Sequence, residues 1–162
     1  MQYLYSSCKR WLAKPTVYYS RLIFQFWEKL EEPSDPKSKI AIVDDDPGIR
    51  ESFSAMISNL GYASYAFESG TSFIRALSRD KLSFDLVLMD YRMPEINGIE
   101  ASRIIHRYRP DLKIVLISAY DFVEKGALAD GLLYMKKPFP MEAFSKIVKQ
   151  TLAVPSLVRG TD

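Results

Sequence analysis

The chain has little cysteine and little net charge, and it lacks a long uninterrupted hydrophobic run. Its 162 residues include one cysteine, Cys8, so no internal disulfide can form. The formal charge of +2 does not indicate a nucleic-acid-binding protein. The most apolar stretch, residues 17–30, is interrupted by Arg21, Gln25 and Glu28 and is shorter than the roughly 20 residues that span a bilayer. The first ten residues lack the pattern of a secretory signal peptide, so we expect a cytoplasmic protein.

The composition that is present favours a folded domain preceded by a distinct segment. Hydrophobic residues make up 48% of the chain, enough for a real core. Prolines, serines and alternating charges at 31–39, "EEPSDPKSK", indicate a linker. We therefore expect a leading segment at 1–38, a main domain at 39–152 and a short tail at 153–162. Residues 1–40 hold seven basic and four acidic side chains, so the basic excess belongs to the leading segment.

The leading segment contains a predicted amphipathic helix at 16–30. Its apolar positions, at helical spacing, are Tyr19, Leu22, Ile23, Phe26, Trp27 and Leu30. Such a face must be buried: it can pack on the main domain, pair with a second copy in a homodimer, bind a partner, or lie on a membrane surface beside nearby basic residues. Contact with protein is the favoured interpretation. A non-native extension is a further alternative.

After the linker, short apolar runs alternate with segments of helical period. This order predicts a parallel sheet covered by helices on both faces. The predicted strands are residues 39–43, 62–66, 84–89, 113–118 and 132–135. The predicted helix boundaries are caps at Asp46 and Ser69, a left-handed stop at Gly61 and a first-turn proline at Pro140.

Polar side chains stand at the ends of four predicted strands. They are Asp44 and Asp45, Asp90, Ser118, and the pair Lys136 and Lys137. Ligands bind at the carboxyl ends of strands in an open parallel sheet, so we expect these groups to share one edge. Two carboxylates about 4 Å apart repel by roughly 4 kcal/mol at an effective dielectric near 20, and a divalent cation would relieve this. Oxygen ligands of this kind suit Mg²⁺, and a lysine and a serine beside them suit phosphoryl transfer.

Four motifs carry a family resemblance. "IVDDD", "LVLMDYRMPEINGIE", "VLISAY" and "YMKKPF" occur in this order, and the chain from residue 39 onward resembles a response regulator receiver domain of two-component signalling. The resemblance implies a flavodoxin-like α/β fold, a doubly wound five-stranded parallel sheet of order 2-1-3-4-5. It also implies phosphorylation of Asp90 by a sensor histidine kinase or phosphotransfer protein.

The resemblance assigns roles to further residues. Mg²⁺ would be held by Asp45, Asp90 and the backbone carbonyl of Arg92, with Asp44 acting directly or through water. Lys137 would contact the phosphoryl group, and its bond to the next residue, a proline, would be cis.

A switch is also implied by the resemblance. Ser118 would reach for the phosphoryl group, and Tyr134 would turn inward to fill the vacated space. Residues 121–131 are short for a fourth helix. The bulky Arg92 and Tyr120 occupy positions that control access of water in this family, which predicts a long-lived phosphoaspartate.

Each of these residues also has a plainer interpretation. Asp44 and Asp45 can cap a helix, and Asp90 can be an ordinary loop carboxylate; the full set of motifs argues against both. Lys136 is interpreted as a solvated neighbour of the site. Tyr134 can be a core residue, and His106 is interpreted as a solvated residue on a helix surface.

The function predicted from the sequence is that of a stand-alone phosphoacceptor whose output is contact with a downstream protein target. It would catalyse its own phosphorylation and dephosphorylation with Mg²⁺, without turning over a separate substrate, and would not bind nucleic acid directly. One alternative is an Mg²⁺-dependent phosphohydrolase with an aspartyl-phosphate intermediate, although Arg92 stands where that class expects an acid. The other is a scaffold receiver that is never phosphorylated.

Overall fold

A computed structural model describes residues 38–79 and 83–154. Within these ranges five strands form one parallel sheet of order β2-β1-β3-β4-β5, which confirms the predicted topology. The strands are β1 (Lys39–Val43), β2 (Ala63–Phe67), β3 (Leu86–Asp90), β4 (Lys113–Ser118) and β5 (Leu133–Lys136). Cys8 and the predicted amphipathic helix at 16–30 lie outside the described residues.

Helices follow the strands throughout the described part of the chain. They are α1 (Pro47–Asn59), α2 (Gly70–Arg79), α3 (Gly98–Tyr108), α4 (Phe122–Ala129) and α5 (Met141–Ala153). With eight residues, α4 is the shortest of these, as its short segment in the sequence predicted. No helix in residues 38–79 or 83–154 is long and apolar enough to cross a membrane.

The two faces of the sheet are covered by different helices. Alternate side chains of a strand point to opposite faces, so each central strand feeds two separate cores. One core packs the sheet against α2, α3 and α4 through Phe73, Ala101 and Val123. The other packs it against α1 and α5 through Phe53 and Phe144. Burial on both sides explains why β1, β3 and β4 are almost continuously apolar.

Two of the predicted boundaries of α1 are confirmed by the backbone. The side chain of Asp46 accepts hydrogen bonds from the N–H groups of Gly48 at 2.7 Å and Ile49 at 3.1 Å, so it is the N-cap. At the other end Gly61 has φ of +81°, a left-handed conformation that a residue with a Cβ adopts only with strain.

The later boundaries are confirmed in one case and corrected in the other. Ser69 precedes α2, and its hydroxyl oxygen accepts the Ser72 N–H at 3.1 Å. Pro140 was predicted in the first turn of its helix, but α5 begins at Met141 and Pro140 is its extended N-cap residue. Pro140 has the extended backbone of the loop after β5, so it is the last residue of that loop and not the first residue of the helix.

Three predicted strands end one residue too early. In β3 and β5 the apolar pattern stops before the parallel ladder does, because a ladder is formed by backbone groups and continues through a polar residue; β2 instead extends by one apolar residue, Phe67. Asp90 pairs with Ile117 of β4, and Lys136 pairs with Ser118. As a result Asp90 belongs to β3 itself, and its backbone is held by the sheet.

Candidate functional site

The carboxyl ends of β1, β3, β4 and β5 enclose a cleft of about 240 Å³. Among the residues predicted for the site, all but Tyr134 line it. The lining residues are Asp44, Asp45, Asp46, Ile49, Asp90, Arg92, Ser118, Ala119, Tyr120 and Lys137. Residues from four separate parts of the chain therefore meet in one small volume, as the strand order required.

Lys137 joins two carboxylates at the bottom of the cleft. Its Nζ lies 2.6 Å from Oδ1 of Asp90 and 3.2 Å from Oδ2 of Asp44. Asp44 is only 3% exposed, so its charge is largely removed from water. The sequence argument invoked a divalent cation to relieve repulsion between these acids; in the structure the ammonium group already lies between two of them.

The electrostatics of this cluster follow from its burial. Burial raises the pKa of Asp90; the hydrogen bond and charge of Lys137 oppose that rise without cancelling it. Burial acting alone would lower the pKa of Lys137. The hydrogen bond and charge of Asp90, assisted by Asp44, raise it instead, so the lysine is held in its charged form.

Backbone groups fix the direction of both carboxylates. Oδ2 of Asp90 accepts the Arg92 N–H at 2.6 Å, and Oδ1 of Asp44 accepts the Asp46 N–H at 3.0 Å. Each carboxylate thus uses one oxygen to accept a hydrogen bond from its own loop, and its other oxygen faces Lys137. This geometry leaves the Asp90 carboxylate oriented toward the cleft.

The two consecutive lysines have different surroundings. Successive side chains of a strand alternate between its sides. Lys137 points into the cleft, where its backbone N–H also donates to the Ser118 carbonyl at 2.7 Å. Lys136 is exposed and pairs with Asp121, in agreement with its interpretation as a solvated neighbour. The Lys137–Pro138 peptide bond is cis, as the family resemblance implied.

Ser118 and Tyr134 are connected through the backbone of Tyr120. Ser118 is 2% exposed, and its hydroxyl oxygen accepts the Tyr120 N–H at 3.0 Å. The Tyr134 hydroxyl donates to the Tyr120 carbonyl at 3.1 Å. Tyr134 is half-buried and does not line the cleft. The sequence identified the two side chains but had no signal for the backbone of Tyr120 that links them.

Gly98 was not identified from the sequence as a site residue. A Cβ at this position would lie 2.3 Å from the carbonyl oxygen of Asp90 and 2.7 Å from Cδ1 of Leu116. Its N–H donates to the Tyr91 carbonyl at 2.8 Å. The start of α3 is therefore packed directly onto the strand that carries Asp90, and Gly98 is a close-approach position that leaves no room for a Cβ.

His106 differs from its predicted surroundings. It is half-buried instead of solvated, and its Nε2 lies 3.0 Å from the Leu112 carbonyl oxygen. It borders a separate groove with Arg103 and Asp130, and does not line the cleft that contains Asp90. The helical pattern placed it on a surface, but the loop that folds back against α3 covers part of the ring.

The described residues offer Mg²⁺ a partial set of ligands. No group of three or more His, Cys, Asp or Glu side chains in 38–79 and 83–154 could hold a metal ion. Mg²⁺ commonly takes only one or two carboxylates and keeps several waters, so a cage of three is not required. Asp45 and Asp90 line the cleft together, beside Arg92, and their carboxylates are oxygen donors of the preferred kind.

Comparison with known proteins identifies the family. The family model described as "Response regulator receiver domain" matches residues 40–149. This chain belongs to the response regulator receiver family. Receivers of this kind are the phospho-accepting modules of two-component systems, and the strand order found here is theirs.

The curated relatives that this chain matches differ in length. It is 27% identical over 122 residues to the transcriptional regulatory protein GlrR of Escherichia coli and covers 27% of that protein. It is 26% identical over 121 residues to sporulation initiation phosphotransferase F of Bacillus subtilis; the match spans 73% of this chain and 96% of the relative. The chain thus spans about a quarter of the first of these and nearly all of the second.

Solved receivers show the same architecture. TrrA of Thermotoga maritima, solved in complex with Mg(2+)-BeF, is 29% identical with a TM-score of 0.64, and the match covers 70% of this chain and 98% of TrrA. A response regulator receiver protein from Burkholderia phymatum is also 29% identical, with a TM-score of 0.66. The match covers 75% of this chain and 100% of the Burkholderia chain.

Proposed function

We propose that this receiver accepts a phosphoryl group on Asp90 in an Mg²⁺-dependent reaction. The donor would be a phosphohistidine of a sensor histidine kinase or phosphotransfer protein. The observation that carries the proposal is the position of the Asp90 carboxylate, 2.6 Å from the Lys137 ammonium, in a cleft that it shares with Asp45. A nucleophile, a fixed cation and a second acid are the groups that phosphoryl transfer to a carboxylate needs.

The reaction follows from these positions. A carboxylate oxygen of Asp90 forms a bond to phosphorus while the bond between phosphorus and the histidine nitrogen breaks, and that nitrogen keeps the electron pair. Lys137 is placed to pair with a phosphoryl oxygen and stabilise the charge that develops on it. Burial, which raises the pKa of Asp90, leaves its carboxylate charge less stabilised than in water and so favours esterification.

Magnesium would be held at the acidic side of the cleft. Asp45, Asp90 and the carbonyl of Arg92 would hold it, with Asp44 acting directly or through water. When bound, Mg²⁺ neutralises charge on phosphoryl oxygens. The phosphoryl group is later lost when water attacks phosphorus and the bond to Asp90 breaks, which returns the carboxylate and inorganic phosphate.

The proposed output is a change in a protein-binding surface. A phosphoryl oxygen near Asp90 would accept a hydrogen bond from Ser118 and draw it inward, away from the Tyr120 N–H that it now contacts at 3.0 Å. Because the Tyr134 hydroxyl donates to the Tyr120 carbonyl, a shift of the Tyr120 backbone would also move Tyr134. The surface of α4, β5 and α5 would then change, and a downstream protein target would bind it differently. An unchanged NMR environment of the Tyr134 ring after phosphorylation would contradict this switch.

The phosphorylation itself is tested with a small phosphodonor and Mg²⁺. We expect intact mass to show one added phosphoryl group on the wild-type protein, and peptide mapping to locate it at Asp90. The group should be absent from Asp90→Asn and absent when a chelator removes Mg²⁺. Equal labelling of Asp90→Asn, or an unlabelled wild type, would overturn the proposal; sustained hydrolysis of phosphate monoesters would favour a phosphohydrolase instead.

A further inference from the structure

Three aromatic rings form a cluster beside the cleft. The ring centroids of Tyr120 and Phe122 are 5.6 Å apart, those of Tyr91 and Phe122 5.9 Å, and those of Tyr91 and Tyr120 6.3 Å. Phe122 is 67% exposed, so it contributes little to the core. Phe122 therefore contacts two tyrosine rings while most of its own surface remains in water.

Tyr120 is the member of the cluster that reaches the cleft. It lines the cleft together with Arg92, and the guanidinium carbon of Arg92 lies 6.0 Å from the Tyr120 ring centroid. That distance is at the limit of a cation–π contact. We call Arg92 and Tyr120 the rim, because both line the cleft and each lies two residues beyond the end of its strand, β3 or β4.

Tyr91 and Phe122 contact the Tyr120 ring but do not line the cleft. Tyr91 is anchored through its backbone: its N–H donates to the Ile117 carbonyl at 2.9 Å, and its carbonyl accepts the Gly98 N–H at 2.8 Å. Phe122 is the first residue of α4. The Tyr120 ring is therefore supported by one residue fixed to the sheet and by another fixed to a helix.

We infer that Tyr91 and Phe122 are positioning residues that hold the Tyr120 ring beside Arg92 across the mouth of the cleft and slow the attack of water on phosphorylated Asp90. This inference rests on the proposed function. Water must reach phosphorus in line with the bond to Asp90 for that bond to break, so a ring kept at the mouth lowers the rate at which productive geometry is reached. Phe122 acts only through Tyr120, since its own side chain does not reach the cleft.

The expected size of the effect follows from the strength of ring contacts. Loss of one aromatic pair shifts an equilibrium by about twofold to tenfold. The Tyr120 ring can occupy a position at the mouth of the cleft or positions away from it. Removal of Phe122 should increase the population of rings away from the mouth by about twofold to tenfold. The hydrolysis rate should rise in proportion.

The test compares the first-order loss of the phosphoryl group from Asp90 in matched variants. Phe122→Ala should lose it about twofold to tenfold faster than the wild-type protein. Leu128→Ala is the control, because Leu128 is 61% exposed on the same helix and carries no aromatic ring. It should keep the wild-type rate. Phe122→Tyr should keep the slow, wild-type rate of phosphoryl loss, since an aromatic ring is retained.

A double-mutant cycle separates positioning from a general structural role. In a Tyr120→Ala background, Phe122→Ala should produce no further acceleration, because the ring that it positions is gone. Equal acceleration in both backgrounds, or a wild-type rate for Phe122→Ala, would overturn the inference while leaving phosphorylation of Asp90 intact. A wild-type protein that takes up no phosphoryl group at Asp90 would overturn the proposed function, and this inference with it.

Discussion

The floor and the rim of the cleft are held by different kinds of interaction. The floor, formed by Asp44, Asp90 and Lys137, consists of partly or fully buried charges at hydrogen-bonding distance. The rim, formed by Arg92 and Tyr120, consists of side chains in contact with water and supported by neighbouring rings. Charge pairs out of water are strong and directional, whereas exposed ring contacts are weak and easily exchanged.

The difference separates two aspects of the proposed function. The floor is expected to decide whether Asp90 is phosphorylated, because it supplies the nucleophile and the stabilising cation. The rim is expected to decide how long the group remains. Changes to the floor should therefore have large effects on reaction and stability, and changes around the rim should have smaller ones.

The largest effect is expected from removal of the floor cation. Lys137→Met should slow phosphorylation by a small donor by roughly 10²–10³-fold, the usual loss when one donor that stabilises developing charge is removed. The measurement is the rate of mass gain with Mg²⁺ present. The adjacent Lys136→Met is the control and should keep nearly the wild-type rate, because Lys136 pairs with Asp121 outside the cleft. Equal rates for both variants would show that the floor has no special role.

The next effect concerns packing beneath the floor. Gly98→Ala should destabilise the fold by about 1–3 kcal/mol, since its Cβ would lie 2.3 Å from the Asp90 carbonyl oxygen. Gly126→Ala, on α4, meets only the terminal Cδ1 of Ile99 at 3.1 Å, which can yield, and it gains helix propensity. Urea denaturation should place the first variant clearly below the second. Similar midpoints would refute the difference in packing.

The smallest effect concerns the helices that begin on either side of the cleft. Asp46→Ala should cost about 1 kcal/mol, because the side chain caps α1 with two hydrogen bonds. Asp121→Ala should cost clearly less than that: Asp121 precedes α4 but makes no capping hydrogen bond, and its pair with Lys136 is exposed. Thermal or urea unfolding of both variants measures this. A larger loss for Asp121→Ala would reverse the comparison.

Much of this arrangement could be predicted from the sequence because it depends on local pattern. Continuous apolar runs that each end in a polar residue predicted the strands and the shared edge of Asp44, Asp90 and Lys137. Cap residues such as Asp46 were identified from their own chemistry and that of their neighbours. These features depend on the sequence near each residue together with a general rule of parallel sheets.

Other features could not be predicted, because they depend on distances between segments far apart in the chain. The ring contact of Tyr91 with Phe122 and the clash that a side chain at Gly98 would cause are examples. The half-burial of His106 likewise depends on how a following loop folds back. Periodicity indicates which side of a helix a residue occupies, but not which loop covers it.

The sequence by itself determined the α/β order of elements, the strands that deliver carboxylates, and the membership in the receiver family, because hydrophobic period and motif spacing are properties of the linear chain. Only the tertiary structure decided that Lys137 lies between Asp44 and Asp90 and that exposed rings support Tyr120 at the mouth of the cleft. Hydrogen bonds and ring contacts act over a few ångströms, so they are settled only when strands and loops have been brought together in space.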